Sequence, residues 1–143
     1  MTTMQRPLPV QDSLSANFWK ACRNHKLSLQ QCSACATAQF PPGPVCKKCR
    51  STDLKWIESM GRGTVYSWIV VRHPIPKEIY GPEVPYVVAL VDLKEGPRMP
   101  TNIVGCAPED VTAHMKVQVV FRDLTDEVSL PQFTPILGST PNR

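Results

Sequence analysis

Four of the six cysteines stand as Cys32-x2-Cys35-x10-Cys46-x2-Cys49. Two such knuckles, each offering a thiolate pair from a tight turn, supply the four soft ligands of a tetrahedral site. The Pro-Pro-Gly-Pro run between them (41–44) suits a short chain reversal. The spacing favours structural zinc. Iron in a rubredoxin-like site and a redox dithiol are the alternatives, and no βαβ pattern surrounds either pair as a dithiol would require. Four thiolates fill the coordination sphere and leave no position for a zinc-activated water. Glycine commonly follows the second cysteine of a knuckle, where the backbone turns left-handed, yet Ala36 and Arg50 stand there. Cys22 and Cys106 fall outside the spacing and read as small buried apolar residues.

No other chemistry-bearing pattern is comparable. His25, His73 and His114 are scattered, and the chain has no Walker loop, dinucleotide fingerprint or Ser/His/Asp arrangement. His73 opens a proline-rich loop, and Glu109-Asp110 follow Pro108 as a solvated turn. The sequence nominates no nucleophile and no catalytic residue.

The elements that must hold the cysteines follow from periodicity. Over 143 residues, 15 prolines against 7 glycines exclude a helical bundle and favour short strands joined by rigid loops. Leu14, Phe18, Ala21 and Cys22 recur at helical spacing, predicting a helix at about 13–24 capped by Asp12 or Ser13. So few apolar residues lie between Leu27 and Ser51 that metal is expected to hold this lobe. Strands are expected at Leu54–Glu58, at Thr64–His73, at Tyr86–Leu93 (the most apolar), at Thr101–Cys106 and at Val117–Asp123. Gly61-Arg-Gly63 marks a turn or bulge. In the second strand Val65, Ser67, Ile69 and Val71 are expected on one face, with Tyr66, Trp68 and Val70 on the other. Residues 73–85 carry four prolines and read as a loop without regular structure, and 130–143 read as an extended tail. The expected fold is mainly β: an N-terminal helix and zinc ribbon over 12–51, a five-stranded OB-fold barrel over 52–135, and a tail from 136 to 143.

Residues 1–50 hold seven Lys/Arg against Asp12 alone, a net +6, while 51–143 hold nine against eleven acids, a net −2. Four zinc-bound thiolates would offset part of the basic excess, which weakens any inference from charge to nucleic acid. Tyr66 and Trp68 could stack bases on a barrel face, but Arg72 is the one cation near them in sequence, a poor electrostatic funnel. No apolar run approaches the roughly 20 residues of a membrane span, and the N-terminus lacks a signal-like apolar core. A cytoplasmic protein with reduced thiols is the expectation.

The order Phe18-Trp19, the four-cysteine ribbon with FPPGPVC, Trp56, GRGTVYS (61–67), PYVVALVDL (85–93), Glu109-Asp110 and Leu130-Pro-Gln-Phe133 resembles the acyl-CoA-associated zinc-ribbon/OB-fold family, domain of unknown function 35, over about residues 13–135. Ala36, Arg50 and His114 depart from it, the last where relatives often have glycine. The resemblance implies a non-catalytic accessory subunit of a thiolase-superfamily enzyme. Such an enzyme is an aldolase or thiolase, with a retro-aldolase of steroid side-chain degradation the leading case. A MaoC-like hydratase is a further implied partner. The subunit would scaffold the complex and help hold the CoA thioester, whose phosphates Lys47, Lys48, Arg50 and Arg62 could meet. A nucleic-acid-binding ribbon/OB module is the alternative. Phe18 and Trp19, loop 73–85, and Phe133, Ile136 and Leu137 of the tail are the expected apolar docking elements.

Overall fold

The computed structural model describes residues 6–136. A short helix α1 (Ala16–Arg23) leads into a three-stranded antiparallel sheet of β1 (Ser28–Cys32), β2 (Ala38–Gln39) and β3 (Leu54–Glu58), ordered β2-β1-β3. A closed five-stranded barrel follows, ordered β4-β5-β6-β8-β7. Its strands are β4 (Arg62–Val71), β5 (Tyr86–Leu93), β6 (Arg98–Ile103), β7 (Lys116–Asp123) and β8 (Ser129–Pro135). The mainly β architecture with helix, ribbon and five-stranded OB-fold is therefore the one expected. No helix among the described residues is long and apolar enough to cross a membrane.

The Asp12 carboxylate accepts the backbone N–H groups of Leu14 and Ser15 at 3.1 and 2.8 Å, starting the turn that becomes α1. Phe18 and Cys22 project from one face of α1 into a cluster with Leu27 and Leu29 of the ribbon, and Phe40 joins its edge. Phe18 is thus buried, not a docking residue, and its ring packs against Trp19 and Phe40. Leu27 and Leu29 also give the ribbon an apolar base that the sequence reading missed. That base is continuous with the barrel core of Val65, Val87, Ala89, Val91, Met99, Val117 and Phe133.

Several expectations change. Leu54–Glu58 pairs with β1, so it belongs to the ribbon sheet and not to the barrel. The fifth barrel strand is instead Ser129–Pro135, which pairs with β7 over seven positions. Phe133 is fully buried on it, so residues 130–135 are not a loose tail. Leu137 lies outside the described residues. Segment 73–85 contains one helical turn, α2 (Lys77–Tyr80), and a 3-10 turn (Gly81–Glu83). The strand expected at 101–106 begins earlier, at Arg98, and ends at Ile103, because Gly105 turns left-handed at φ 80°.

The facing of β4 is the most instructive correction. Val65 pairs with Val91, but Ser67 pairs with Leu90, leaving Tyr66 as an extra residue in a β-bulge. Beyond the bulge every side chain is on the opposite face from the one strict alternation assigns. Val65, Trp68 and Val70 therefore point inward, and Ser67, Ile69 and Val71 outward. The two glycines before the bulge have separate reasons. Gly61 has φ 71°, and at Gly63 an added Cβ would fall on the Asp92 carbonyl of β5.

Candidate metal centre

The two knuckles have one backbone pattern. In the first, the Ala36 N–H donates to the Cys32 carbonyl at 2.8 Å and the Cys32 N–H to the Thr37 carbonyl at 2.9 Å. In the second, Arg50 N–H donates to Cys46 at 2.9 Å and Cys46 N–H to Ser51 at 2.8 Å. Both turns close through a left-handed residue, Ala36 at φ 65° and Arg50 at φ 67°. The four sulfurs come together within 4.8 Å of one another. Cys32 Sγ lies 3.6 Å from Cys49 Sγ, and Cys35 Sγ 3.6 Å from Cys46 Sγ. A tetrahedron with Zn–S bonds of about 2.3 Å has sulfur–sulfur edges of about 3.8 Å, so the donor set fits the ion.

Electrostatics agrees with that fit. The Thr37 hydroxyl and backbone pull the Cys35 thiol down to about 6. Cys49 is pushed up to about 12: the Ser51 backbone hydrogen bond lowers it, but the Cys32 thiol, desolvation and the other two cysteines outweigh that. Four thiols this close cannot all ionise without a cation between them, which a dication supplies. The Cys35 N–H donates to Cys32 Sγ at 3.4 Å, and the Lys48 and Cys49 N–H groups to Cys46 Sγ at 3.4 and 3.5 Å. Such donors stabilise thiolate charge. The coordination sphere is complete with sulfur, so the ion holds the fold and offers no site for substrate.

Two residues that sequence reasoning passed over build the frame. The Gln30 side-chain oxygen accepts Gly43 N–H at 2.8 Å and the Gln39 amide at 2.9 Å. Gln39 in turn accepts Lys47 N–H at 2.8 Å and donates to the Val45 carbonyl at 3.2 Å. Both glutamines are buried, so they pin the Pro-Pro-Gly-Pro reversal and set the second knuckle against the first. The available signal was polar residues interrupting the apolar approach to Cys32.

The left-handed residues carry a prediction. An L-residue there costs about 1–2 kcal/mol, and glycine's extra chain entropy returns about half of that. Ala36→Gly should therefore stabilise the holo ribbon by about 0.5–1 kcal/mol, a two- to fivefold slower loss of zinc to a competing chelator. Unchanged or faster loss would show that the knuckle tolerates Ala36 without strain. His25 at φ 59° and His114 at φ 65° are left-handed too, so all three positions where the sequence lacks the expected glycine, Ala36, Arg50 and His114, have that conformation.

Lys47, Lys48 and Arg50 are exposed on the second knuckle, and Arg62 is exposed at the start of β4. Three thus share the metal lobe and one stands on the barrel. Lys47 Nζ donates to the Phe40 carbonyl at 3.2 Å. A separate cavity of about 640 Å³ lies under α2 and the 3-10 turn, with Tyr80, Tyr86, Asn102 and Gln132 in its wall. None of the four cations lines it. At its rim Glu83 joins Arg6 at 2.5 Å and Arg122 at 2.8 Å, and these hydrogen bonds hold its carboxyl below the usual range against the opposing pull of desolvation. Burial pushes Cys22 up to about 12 and Cys106 upward, as suits packing residues. His73 is exposed, and Glu109 lies 3.8 Å from Arg72 in a surface pair. Tyr66 carries the Arg98 guanidinium 3.4 Å over its ring, which removes one face from base stacking.

Comparison with known proteins adds to this geometry. Residues 19–55 match the family model described as "ChsH2, rubredoxin-like zinc ribbon domain", and residues 56–122 match "ChsH2, C-terminal OB-fold domain". The chain is 42% identical over 130 residues to a "Probable enoyl-CoA hydratase alpha subunit" of Thermomonospora curvata, covering 91% of this chain but 40% of that protein's length. It is 35% identical to a "DUF35 domain-containing scaffold protein" of Methanocaldococcus jannaschii, covering 82% of this chain and 84% of the relative. Among solved structures, a chain of an "Ltp2-ChsH2(DUF35) aldolase" superposes with a TM-score of 0.80 at 41% identity. That match covers 90% of this chain and 98% of the other.

Proposed function

The chain belongs to the DUF35 family of zinc-ribbon and OB-fold proteins, in its ChsH2-like form, and from that premise we propose that it is the scaffold subunit of an acyl-CoA aldolase. The catalytic residues reside in a thiolase-like partner. This chain holds the partner in a defined assembly and contributes to the binding of the CoA thioester. The observation that carries the reading is the match over 98% of a chain solved as part of an Ltp2–ChsH2(DUF35) aldolase. Closure of the metal site by four sulfurs supports it, because zinc so bound has structure to offer and no chemistry. Relatives named as hydratase alpha subunits extend well beyond this chain, so a MaoC-like hydratase is a further partner in the reading. A steroid side chain is its sharpest form for the acyl group.

The phosphates of CoA are assigned to Lys47, Lys48 and Arg50 beside the metal and to Arg62 on β4. Exposed cations of this kind steer a polyanion and contribute modestly one at a time.

Co-expression with an Ltp2-type aldolase from the same genome tests the proposal. The two proteins should co-purify as a symmetric assembly built on the partner's dimer. The lone chain should turn over no acyl-CoA. Replacing Lys47, Lys48 and Arg50 together by alanine should raise KM for the CoA thioester severalfold with kcat preserved, since uniform binding is lost. Full-rate catalysis by the lone chain, or no association on co-expression, would overturn the proposal. Sub-micromolar binding of single strands at physiological salt, lost on Tyr66→Ala, would put the nucleic-acid module in its place.

A further inference from the structure

The barrel's outer surface is not uniformly polar. On β5, Val87, Ala89, Val91 and Leu93 point into the core with 0–4% exposure. The alternate set, Tyr86, Val88, Leu90 and Asp92, must point outward. A strand with one solvated face should be polar there, yet three of these four are apolar. The bulge at Tyr66 adds to the surface from β4. It brings Ile69 opposite Val88, Val71 opposite Tyr86 and Ser67 opposite Leu90, all turned outward. From β6, Pro100 stands opposite Leu90. Ile69, Val71, Tyr86, Val88, Leu90 and Pro100 thus share one outer face. None of the six packs against the core cluster, and Ile69 is 62% exposed.

The chain's other described elements are anchored mainly elsewhere. Helix α1 packs on β1 and β8. The α2 segment is tied through Glu83 to Arg122 on β7 and reaches this face at its Tyr86 edge, where the ring of Tyr80 lies 6.3 Å from that of Tyr86. Charge at the rim of the face is already neutralised. Arg98 forks onto Asp92 at 2.7 and 3.3 Å on one side, and Arg72 pairs with Glu109 at 3.8 Å on the other. An apolar centre with self-paired charges around it suits a neutral, flat protein surface, and lacks the unpaired cations that a phosphate backbone or anionic membrane needs.

We infer that the outer face of β4–β5–β6, centred on Ile69, Val88 and Leu90, is the surface that docks the aldolase partner. This rests on the scaffold-subunit reading and adds the place of contact, which the sequence had put on Phe18 and Trp19, loop 73–85 and the tail. The occupant is the partner and not a second copy, because a relative 41% identical to this chain is solved within an Ltp2–ChsH2(DUF35) aldolase.

The test uses the co-expressed complex. Ile69→Glu and Leu90→Lys, made separately, should each reduce recovery of the aldolase on this subunit at least tenfold. Zinc content and thermal midpoint of the isolated variants should match the unmodified chain. Hydroxyl-radical footprinting of the unmodified complex, which needs no variant, should show at least threefold less oxidation of Ile69 and Leu90 than in the free subunit. If the unmodified complex forms while both variants bind normally and both residues stay reactive, the docking inference fails and the scaffold reading survives. If the unmodified proteins do not associate, both fall. If the free subunit is a dimer that Ile69→Glu dissociates, the face is a self-interface and the inference is overturned.

Discussion

Removing the metal is expected to melt the tip of the ribbon, residues 33–53, while the barrel and the base of the ribbon remain folded. The two halves of the lobe are held by different forces. Its base is apolar: Leu27 and Leu29 are 2% and 1% exposed and pack with Phe18 and Cys22. The β1–β3 ladder runs from Ser28–Glu58 to Cys32–Leu54 and secures that end. Beyond Cys32, β2 contributes two residues, and the remaining order comes from Gln30, Gln39 and the four sulfurs. Apparent zinc binding in small ribbon peptides is about 10–16 kcal/mol, far above what two buried glutamines retain. A strong chelator should release about one zinc per chain and open the tip to proteolysis, with the barrel's near-UV spectrum preserved. Cys46→Ser should have the same effect, since Cys46 is fully buried and its sulfur accepts two backbone N–H groups. Acid should act likewise. Ligation requires thiolates, so the stabilisation is present at neutral pH and is lost as falling pH returns protons to sulfur. Protection of the tip after complete zinc removal would show that its hydrogen bonds suffice.

What the sequence disclosed and what it hid both have physical causes. The metal site was legible because ligand spacing is a local property: each knuckle is set by a few residues, and two knuckles define the site. β5 was legible because Tyr86–Leu93 is the most apolar run of the chain, bounded by Pro85 and by Glu95-Gly96. Strand β4 was located correctly but its faces were inverted past Tyr66, because a bulge inserts one residue and leaves no mark on composition. Strand β1 was hidden by its own chemistry. Gln30 is buried to serve the loop, so the period-2 signal of Ser28–Cys32 is broken where it would have shown. The four cations proposed for CoA could be placed on exposed positions, but sequence carries no signal that would join Arg62 to the ribbon's three. The docking face was illegible for the same reason as β4, since Ile69 and Val88 become neighbours only in the bulged register.

Cutting the chain after Leu130 is expected to collapse the barrel, and not to free a docking tail. Residues 131–135 contain two prolines, which argues against a strand, yet they form most of β8. The geometry explains why they are accepted. The Pro131 carbonyl accepts Thr101 Oγ1 at 3.1 Å, and the Phe133 carbonyl accepts Val104 N–H at 2.8 Å, both from the β6 side. In a strand a residue's nitrogen points the same way as its carbonyl, so Pro131 and Pro135 turn their missing donors toward β6. There the pairing is parallel and registered only at Ile103–Phe133, and no bond of the β7 ladder is lost. β8 is thus the stave that closes the barrel with prolines on its weak side. Phe133, fully buried, is among the largest enclosed side chains. Phe133→Ala alone should cost about 3–5 kcal/mol, lowering the thermal midpoint by more than about 10 °C. The truncation removes that ring and most of the β7 ladder together, a loss comparable with the roughly 5–15 kcal/mol that stabilises a whole domain. It also leaves β6 and β7 as open edges that invite aggregation. The truncated chain should therefore be insoluble or lack near-UV structure, whereas Ile69→Ala on the outer face should shift the midpoint by no more than a few degrees. A soluble, zinc-loaded truncation with a native near-UV spectrum would show that four strands suffice, and would return residues 131–136 to the role of a detachable arm.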